Sequence, residues 1–307
     1  MRFKSGEIEL AGTLTLPDGE PPFPAVVLIS GSGPQTRDED TPGVGGLKLH
    51  FFRKIAHRLG TYGIACLRYD DRGVGESGGT FATASLSDFV SDAKAAIEFL
   101  RNDRRMDSSR IAIVGHSEGA IIAPMIASHD RAVAAIVLLA SPARSLDKII
   151  LEQQSYAGKA TGMTEEERKS LMDDTRKFIE FVLSDEPWDP EKVPAQYRTL
   201  GESRQWFKEH FLHDPLSTIA KVTCPVLILQ GGKDIQVNPQ DSSLLGNAHQ
   251  KAGNPDFEVK ILPDLNHLFV KSKGEGLAEY SDQTLQVDSD MLDYLAQWLK
   301  TRLINRR

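Results

Sequence analysis

Apolar and polar residues alternate where the chain opens: Phe3, Ile8 and Leu10, then Leu14 and Leu16, around Gly6 and Gly12. A period of two marks a half-buried strand, so residues 1 to 16 predict an antiparallel pair ending at Pro17. The pattern then changes. Ala25-Val-Val-Leu-Ile29 is apolar without interruption, as a strand covered on both faces of a parallel sheet must be. A helix is expected from Leu47 to Gly60 and a strand from Ile64 to Tyr69. Leu86, Phe89, Val90, Ala93, Ile97 and Leu100 recur at helical period. Ile111 to Val114 reads as a strand, Ala120 to Ala127 as a helix and Ala134 to Leu139 as a strand. Strand and helix keep alternating, which predicts an α/β protein with a mostly parallel sheet and helices on both faces.

The rhythm breaks at Pro142. From Arg144 to His213 there is no strand signal, while Glu152 to Ala160 and Glu165 to Leu183 predict helices, with breaks at Pro187, Pro190 and Pro194. Trp188, Tyr197, Trp206 and Phe207 are concentrated in this stretch. The expectation is a core of residues 1–143 and 214–307 and a helical cap of residues 144–213 over the C-terminal sheet edge, where open α/β folds bind ligands. After Asp214 to Ile219 the sheet resumes at Pro225 to Gln230, followed by a turn at Gly231 to Asp234. A helix is expected over Pro239 to Ala252, a strand over Phe257 to Leu262, a loop with His267, and a last helix from Gln283 to Leu303.

Chemistry enters at Gly115-His-Ser-Glu-Gly119, set with no spacer between a predicted strand and a predicted helix. In that context G-x-S-x-G is a nucleophile elbow: the turn is too tight for a Cβ two residues either side of the serine, and the strained serine holds its hydroxyl clear of the sheet. A serine hydroxyl needs a base, and the base needs a third group to fix its tautomer. In this strand–turn–helix setting the partners follow as acid, then histidine, from loops at strand ends. Asp234 sits four residues past an apolar strand. His267 alone among eight histidines lies between a predicted strand and the last helix. Ser117, Asp234 and His267 are therefore the expected triad. His50, His57, His129, His210, His213 and His249 are expected in solvated or capping places, and the His116 side chain is expected to point away from the site.

The Glu118 N–H, at the helix start, is one expected oxyanion donor. The second should come from Gly31-Ser32-Gly33, after the strand neighbouring the elbow, with Ser32 first and Gly33 next. Asp70, Asp71 and Arg72 make a dense charged turn, read as an ion pair bracing the loop rather than a cation site. Gly31-Ser-Gly33-Pro34 lacks the third glycine of a dinucleotide site, Thr41 to Lys48 lacks the Walker spacing, and no cluster has metal-ligand spacing, so no cofactor is expected.

The formal charge of −7 over 307 residues, with no basic block, argues against nucleic acid or an anionic membrane as partner. Two cysteines, Cys66 and Cys224, make no disulfide framework and are expected as buried free thiols. The first residues show no signal-peptide pattern and no apolar run has transmembrane length, so a cytoplasmic protein is expected. Arg302, Arg306 and Arg307 suit a last helical turn.

These features resemble the α/β-hydrolase superfamily over nearly the full chain: the Gly115–Gly119 elbow, the Asp234 turn, the His267 loop and Asp71-Arg-Gly-Val-Gly-Glu-Ser77. Ser30-Gly-Ser-Gly-Pro-Gln-Thr-Arg-Asp-Glu39 is similar to bacterial carboxylesterases of the family that also holds serine-aminopeptidase-like members. Many relatives carry His-Gly where this chain has Ser30-Gly31. The resemblance implies ester hydrolysis through an acyl-enzyme, and does not by itself supply the substrate. A small to medium carboxylic ester is expected, with the cap aromatics shaping the acyl or alcohol pocket, acted on by a monomer or homodimer. An aminopeptidase, amidase or thioesterase would use the same machinery, and Glu165, Glu166, Glu167, Asp173 and Asp174 could hold a peptide amine. Serine at the elbow excludes dehalogenase and epoxide-hydrolase chemistry, which needs a carboxylate there, and the complete triad argues against a non-catalytic binder.

Overall fold

In the computed structural model, which describes residues 1–41, 48–274, 276–282 and 284–305, the opening alternation forms β1 (Arg2–Ser5) and β2 (Ile8–Thr15), paired antiparallel. Behind them come β3 (Phe23–Ile29), β4 (Ala65–Tyr69), β5 (Met106–His116), β6 (Ile136–Leu139), β7 (Val226–Gly231) and β8 (Phe257–Leu262). One eight-stranded sheet runs β1-β2-β4-β3-β5-β6-β7-β8, parallel from β4 to β8. Every residue of β3, β4, β6 and β7 is buried, as their unbroken apolar runs require.

The helices are α1 (Phe51–Thr61), α2 (Leu86–Asn102), α3 (Glu118–Ala127), α4 (Leu146–Ala160), α5 (Glu165–Leu183), α6 (Arg204–Leu212), α7 (Pro215–Ile219), α8 (Gln240–Lys251) and α9 (Ser289–Leu303). Alternate residues of the central strands (Val26, Leu28, Val114, Val137, Leu227) share one core with Phe51, Ile55 and Leu59 of α1 and Leu295 and Leu299 of α9. The i, i+4 spacing gives each helix a single apolar face for that purpose. α3 packs on β5 and β6, and α8 on β7 and β8. Several bounds differ from the sequence expectation. β5 is longer, α4 starts six residues earlier, and α9 starts at Ser289 where the Asp288 carboxylate caps it. Leu47, Gln283, Arg306 and Arg307, assigned above to helices, lie outside the described residues, as does most of the Thr41 to Lys48 stretch.

The chain forms two compact units. One comprises Met1–Phe81, Phe89–Ala143 and Pro215–Arg307, and the other Ala82–Asp88 and Arg144–Asp214. The second is helical and has its own core. Phe178, Ile179 and Val182 of α5 pack with Tyr197 and Phe211, and Trp188 and Phe207 lie against them. Phe178 stacks on Tyr197 at 4.3 Å. Tyr197 is thus buried inside this unit, while Trp188 and Phe207 are half-buried against its core. A small helical unit has too little apolar surface to leave its large aromatics outside its core. Ala82 to Asp88 joins it through Ser203 Oγ donating to the Ala82 carbonyl (3.1 Å) and the Ser87 N–H donating to Glu209 (2.7 Å).

Candidate active site

β5 ends at His116 and α3 starts at Glu118, so Ser117 makes the turn alone. Its φ of 52° and ψ of −111° are strained for a residue with a side chain, a cost kept up by the packing around it. A Cβ on Gly115 would collide with the Gly119 carbonyl, and one on Gly119 with the Ile29 carbonyl of β3. The two glycines of the motif are there for close approach. Ser117 is half-buried and Glu118 opens α3, so the Glu118 N–H belongs to the helix's N-terminal donor set.

Asp234 and His267 come from turns at the ends of β7 and β8, and the backbone stitches those turns together. Gly232 N–H donates to the Leu262 carbonyl (2.7 Å) and Lys233 N–H to that of Leu265 (2.8 Å). The Asp234 carboxylate is wholly buried. Its Oδ1 accepts the N–H groups of Gln236 (2.8 Å) and Val237 (2.9 Å), and its Oδ2 accepts Gln230 Nε2 (2.8 Å) and meets His267 Nδ1 at 2.8 Å. Burial alone would raise its pKa, but the His267 ring and the two N–H groups outweigh burial and hold it below the ordinary carboxylate range. With Nδ1 bonded to Asp234, Nε2 is the nitrogen left to exchange a proton. Asn266 braces the loop: its Oδ1 accepts the Leu268 N–H (3.0 Å) and its Nδ2 donates to buried Glu279 (2.6 Å).

Ser117 and His267 line one cavity of about 260 Å³, with Gly31, Ser32, Gln236 and Tyr280 among its other walls. No hydrogen bond joins the serine to the ring in this structure, and such bonds are often loose until substrate closes them. The register Ile29 to Gly115 sets the loop after β3 beside the elbow. A Cβ on Gly31 would lie 3.3 Å from that of Ser117. The Gly31 N–H is already donated to Glu39 Oε1 (2.8 Å). Ser32 lines the cavity and, among the described residues, its N–H has no acceptor; Gly33 is not part of that lining.

Ser30, in the place of a histidine, donates its hydroxyl to Asp71 Oδ1 (2.7 Å), while the Gln35 N–H donates to Oδ2 (2.9 Å). Burial pushes the Asp71 carboxyl well up from its ordinary value. The charged turn is braced by ion pairs, though not among its own residues. Asp70 pairs with Arg37 (2.6 Å) and Arg72 with Asp92 (2.8 Å).

The structure adds residues that the sequence did not single out. His116 lines the cavity rather than pointing away, with its ring centroid 4.9 Å from that of His267. Glu39, Gln236 and Tyr280 line it too, and burial first of all pushes the Tyr280 hydroxyl up to about 12. His210 and His249 are buried rather than solvated, and His249 Nδ1 lies 3.1 Å from the Ile219 carbonyl. Cys66 is buried and Cys224 only half-buried; both are free thiols. Asp38, Asp40 and His50 bring ligand atoms within 4.8 Å of one another, which their spacing in sequence did not suggest. Each already has a protein partner: Asp38 pairs with Arg68 (2.6 Å) and Asp40 with His50 (2.5 Å).

A strained serine after a parallel strand, and a buried carboxylate–imidazole pair from the ends of the last two strands, β7 and β8, define the α/β-hydrolase class. The family model described as serine aminopeptidase, S33 matches residues 46–273, and the chain belongs to that family. It is 31% identical over 290 residues to the esterase EstD of Thermotoga maritima, covering 94% of this chain and 65% of that one; the chain thus spans just under two thirds of that relative's length. Among solved structures, an esterase from Pyrococcus furiosus superposes with a TM-score of 0.63 at 16% identity, covering 99% of this chain and 90% of the other. Est1E of Butyrivibrio proteoclasticus, solved with ferulic acid, gives 0.60 at 17%, with both chains covered in full.

Proposed function

We propose that the protein is a serine hydrolase that cleaves small to medium carboxylic esters through an acyl-enzyme. The observation that carries this reading is that His267, held by buried Asp234, lines one cavity with the strained Ser117. In the proposed reaction Ser117 Oγ attacks the ester carbonyl as His267 Nε2 takes its proton. The N–H groups of Ser32 and Glu118 hold the oxyanion. The tetrahedral intermediate collapses, His267 protonates the leaving alkoxide, and the acyl group stays on Ser117. Water, deprotonated by His267, then attacks the acyl-enzyme and releases the acid. Asp234 holds the ring in the required tautomer and stabilises its charged form.

The similarity to EstD favours an ester over a peptide. Three of the five acids that would serve an aminopeptidase are engaged locally. Glu167 completes a capping box with Thr164, Asp173 pairs with Arg176 and Asp174 with Lys177. The helical unit leaves the chain just past β6, at a C-terminal strand end, which supports its role as a cap. No described helix is long and apolar enough to cross a membrane, and two free thiols fit a reducing cytoplasm.

The test is hydrolysis of p-nitrophenyl esters from acetate to dodecanoate beside aminoacyl p-nitroanilides. Ester turnover should fall with chain length, and Ser117→Ala should lose about 10⁶-fold in kcat. Cleavage of the anilides alone would replace the esterase by an aminopeptidase. Activity surviving in Ser117→Ala would remove the serine from the reaction.

A further inference from the structure

Beside the Asp234–His267 pair lies a second buried carboxylate–imidazole pair. His116 Nδ1 is 2.7 Å from Glu39 Oε1, and their side chains are 4% and 6% exposed. His116 Nε2 is 3.0 Å from the backbone carbonyl of His267. A carbonyl can only accept, so Nε2 must carry a proton. Oε1 already accepts the Gly31 N–H, which favours the carboxylate form and makes Nδ1 a donor as well. With both nitrogens donating, the ring is an imidazolium. Phe51 and Phe269 pack edge-on to it and exclude water. Glu39 is itself held at φ 59°, a left-handed conformation rare for residues with a Cβ.

These bonds join three separate pieces of the site. Glu39 holds the loop that carries Ser32, His116 is the residue before the nucleophile, and the His267 carbonyl belongs to the proposed base. We propose that the Glu39–His116 ion pair is a positioning unit that fixes the oxyanion loop and the His267 loop relative to Ser117. The proposal rests on the esterase reading of Ser117 and His267. The titratable groups facing His116 are Glu39, His267 and, beyond it, Asp234. Burial lowers its pKa, but the charges of Glu39 and Asp234 and the two hydrogen bonds raise it overall. Neither residue touches the reacting atoms, so their effect should fall on kcat through geometry.

The experiment combines kinetics with NMR of the histidine ring nitrogens on the intact protein. In the wild type, His116 should show both nitrogens protonated at neutral pH, a readout independent of any activity. Glu39→Gln should lose that second proton as pH rises through neutrality, and kcat for p-nitrophenyl acetate should fall by about 10²-fold with little change in KM. His116→Gln keeps a donor for the His267 carbonyl but breaks the link to Glu39. Combined with Glu39→Gln it should cost no more than either change alone, because the two act as one unit. A singly protonated His116 in the wild type, or Glu39→Gln within twofold of wild-type kcat, would overturn the proposal. Failure of the esterase reading would appear elsewhere, as activity retained by Ser117→Ala.

Discussion

Two carboxylate–imidazole pairs sit side by side in this molecule, and their differences explain which one is free to react. Among the described residues, Asp234 receives four donors, two on each oxygen, and His267 Nε2, at the cavity wall, has no protein partner. Among the same residues Glu39 receives two donors on one oxygen, its other oxygen is buried without a partner, and both nitrogens of His116 are engaged. The first pair can exchange a proton with a bound molecule. The second is locked. Chemical type is nearly the same in both; they differ at the far nitrogen, which is bonded to a carbonyl in His116 and has no partner among the described residues in His267.

The comparison breaks most severely at Asp234. Asp234→Asn should lower kcat by about 10⁴-fold, because the amide stabilises the wrong His267 tautomer, a far larger loss than Glu39→Gln is expected to cause. Steady-state kinetics on folded protein checks this, and near-wild-type activity would move the acid role to another residue. A smaller effect is expected from Gln230→Leu, which deletes one donor to Asp234 while keeping the volume. Stability in urea should drop by about 1.5–3 kcal/mol, the range for a lost hydrogen bond to a charged group. No measurable drop would mean the remaining donors suffice.

Opposite pH signs sharpen the contrast further. Asp234 is held below the ordinary carboxylate value, so its contribution to stability is present above that value and fades as pH falls through the lowered one. His116 is held above the ordinary imidazole value, so its contribution is present below that value and fades as pH rises through the raised one. Thermal melts across pH should therefore show the acid limb flattened in Asp234→Asn and the alkaline limb flattened in Glu39→Gln. Both variants changing the same limb would contradict the assignment.

Much of this was legible in the order of residues. Period-two and unbroken apolar runs located the strands, because a side chain's face follows directly from its position in an extended backbone. The elbow was legible because steric demand is local: Gly115 and Gly119 are required within five residues of one another. Asp234 and His267 stand out in the sequence by their places after strands, since a parallel sheet delivers its strand ends to one edge, and in the structure the two meet at 2.8 Å. What the sequence could not settle is what those residues meet. Glu39 and His116 are 77 positions apart, and their bond depends on β3 lying beside β5. Tyr197 shows the same limit: composition marked it as an available aromatic, and only packing shows it buried in its own unit's core against Phe178. Local sterics and periodicity are written in neighbouring residues, whereas the state of a buried charge depends on every group around it. Neighbouring residues are enough to place the sheet and the elbow; only the packing of distant segments, β3 beside β5 above all, settles which imidazole nitrogens have partners.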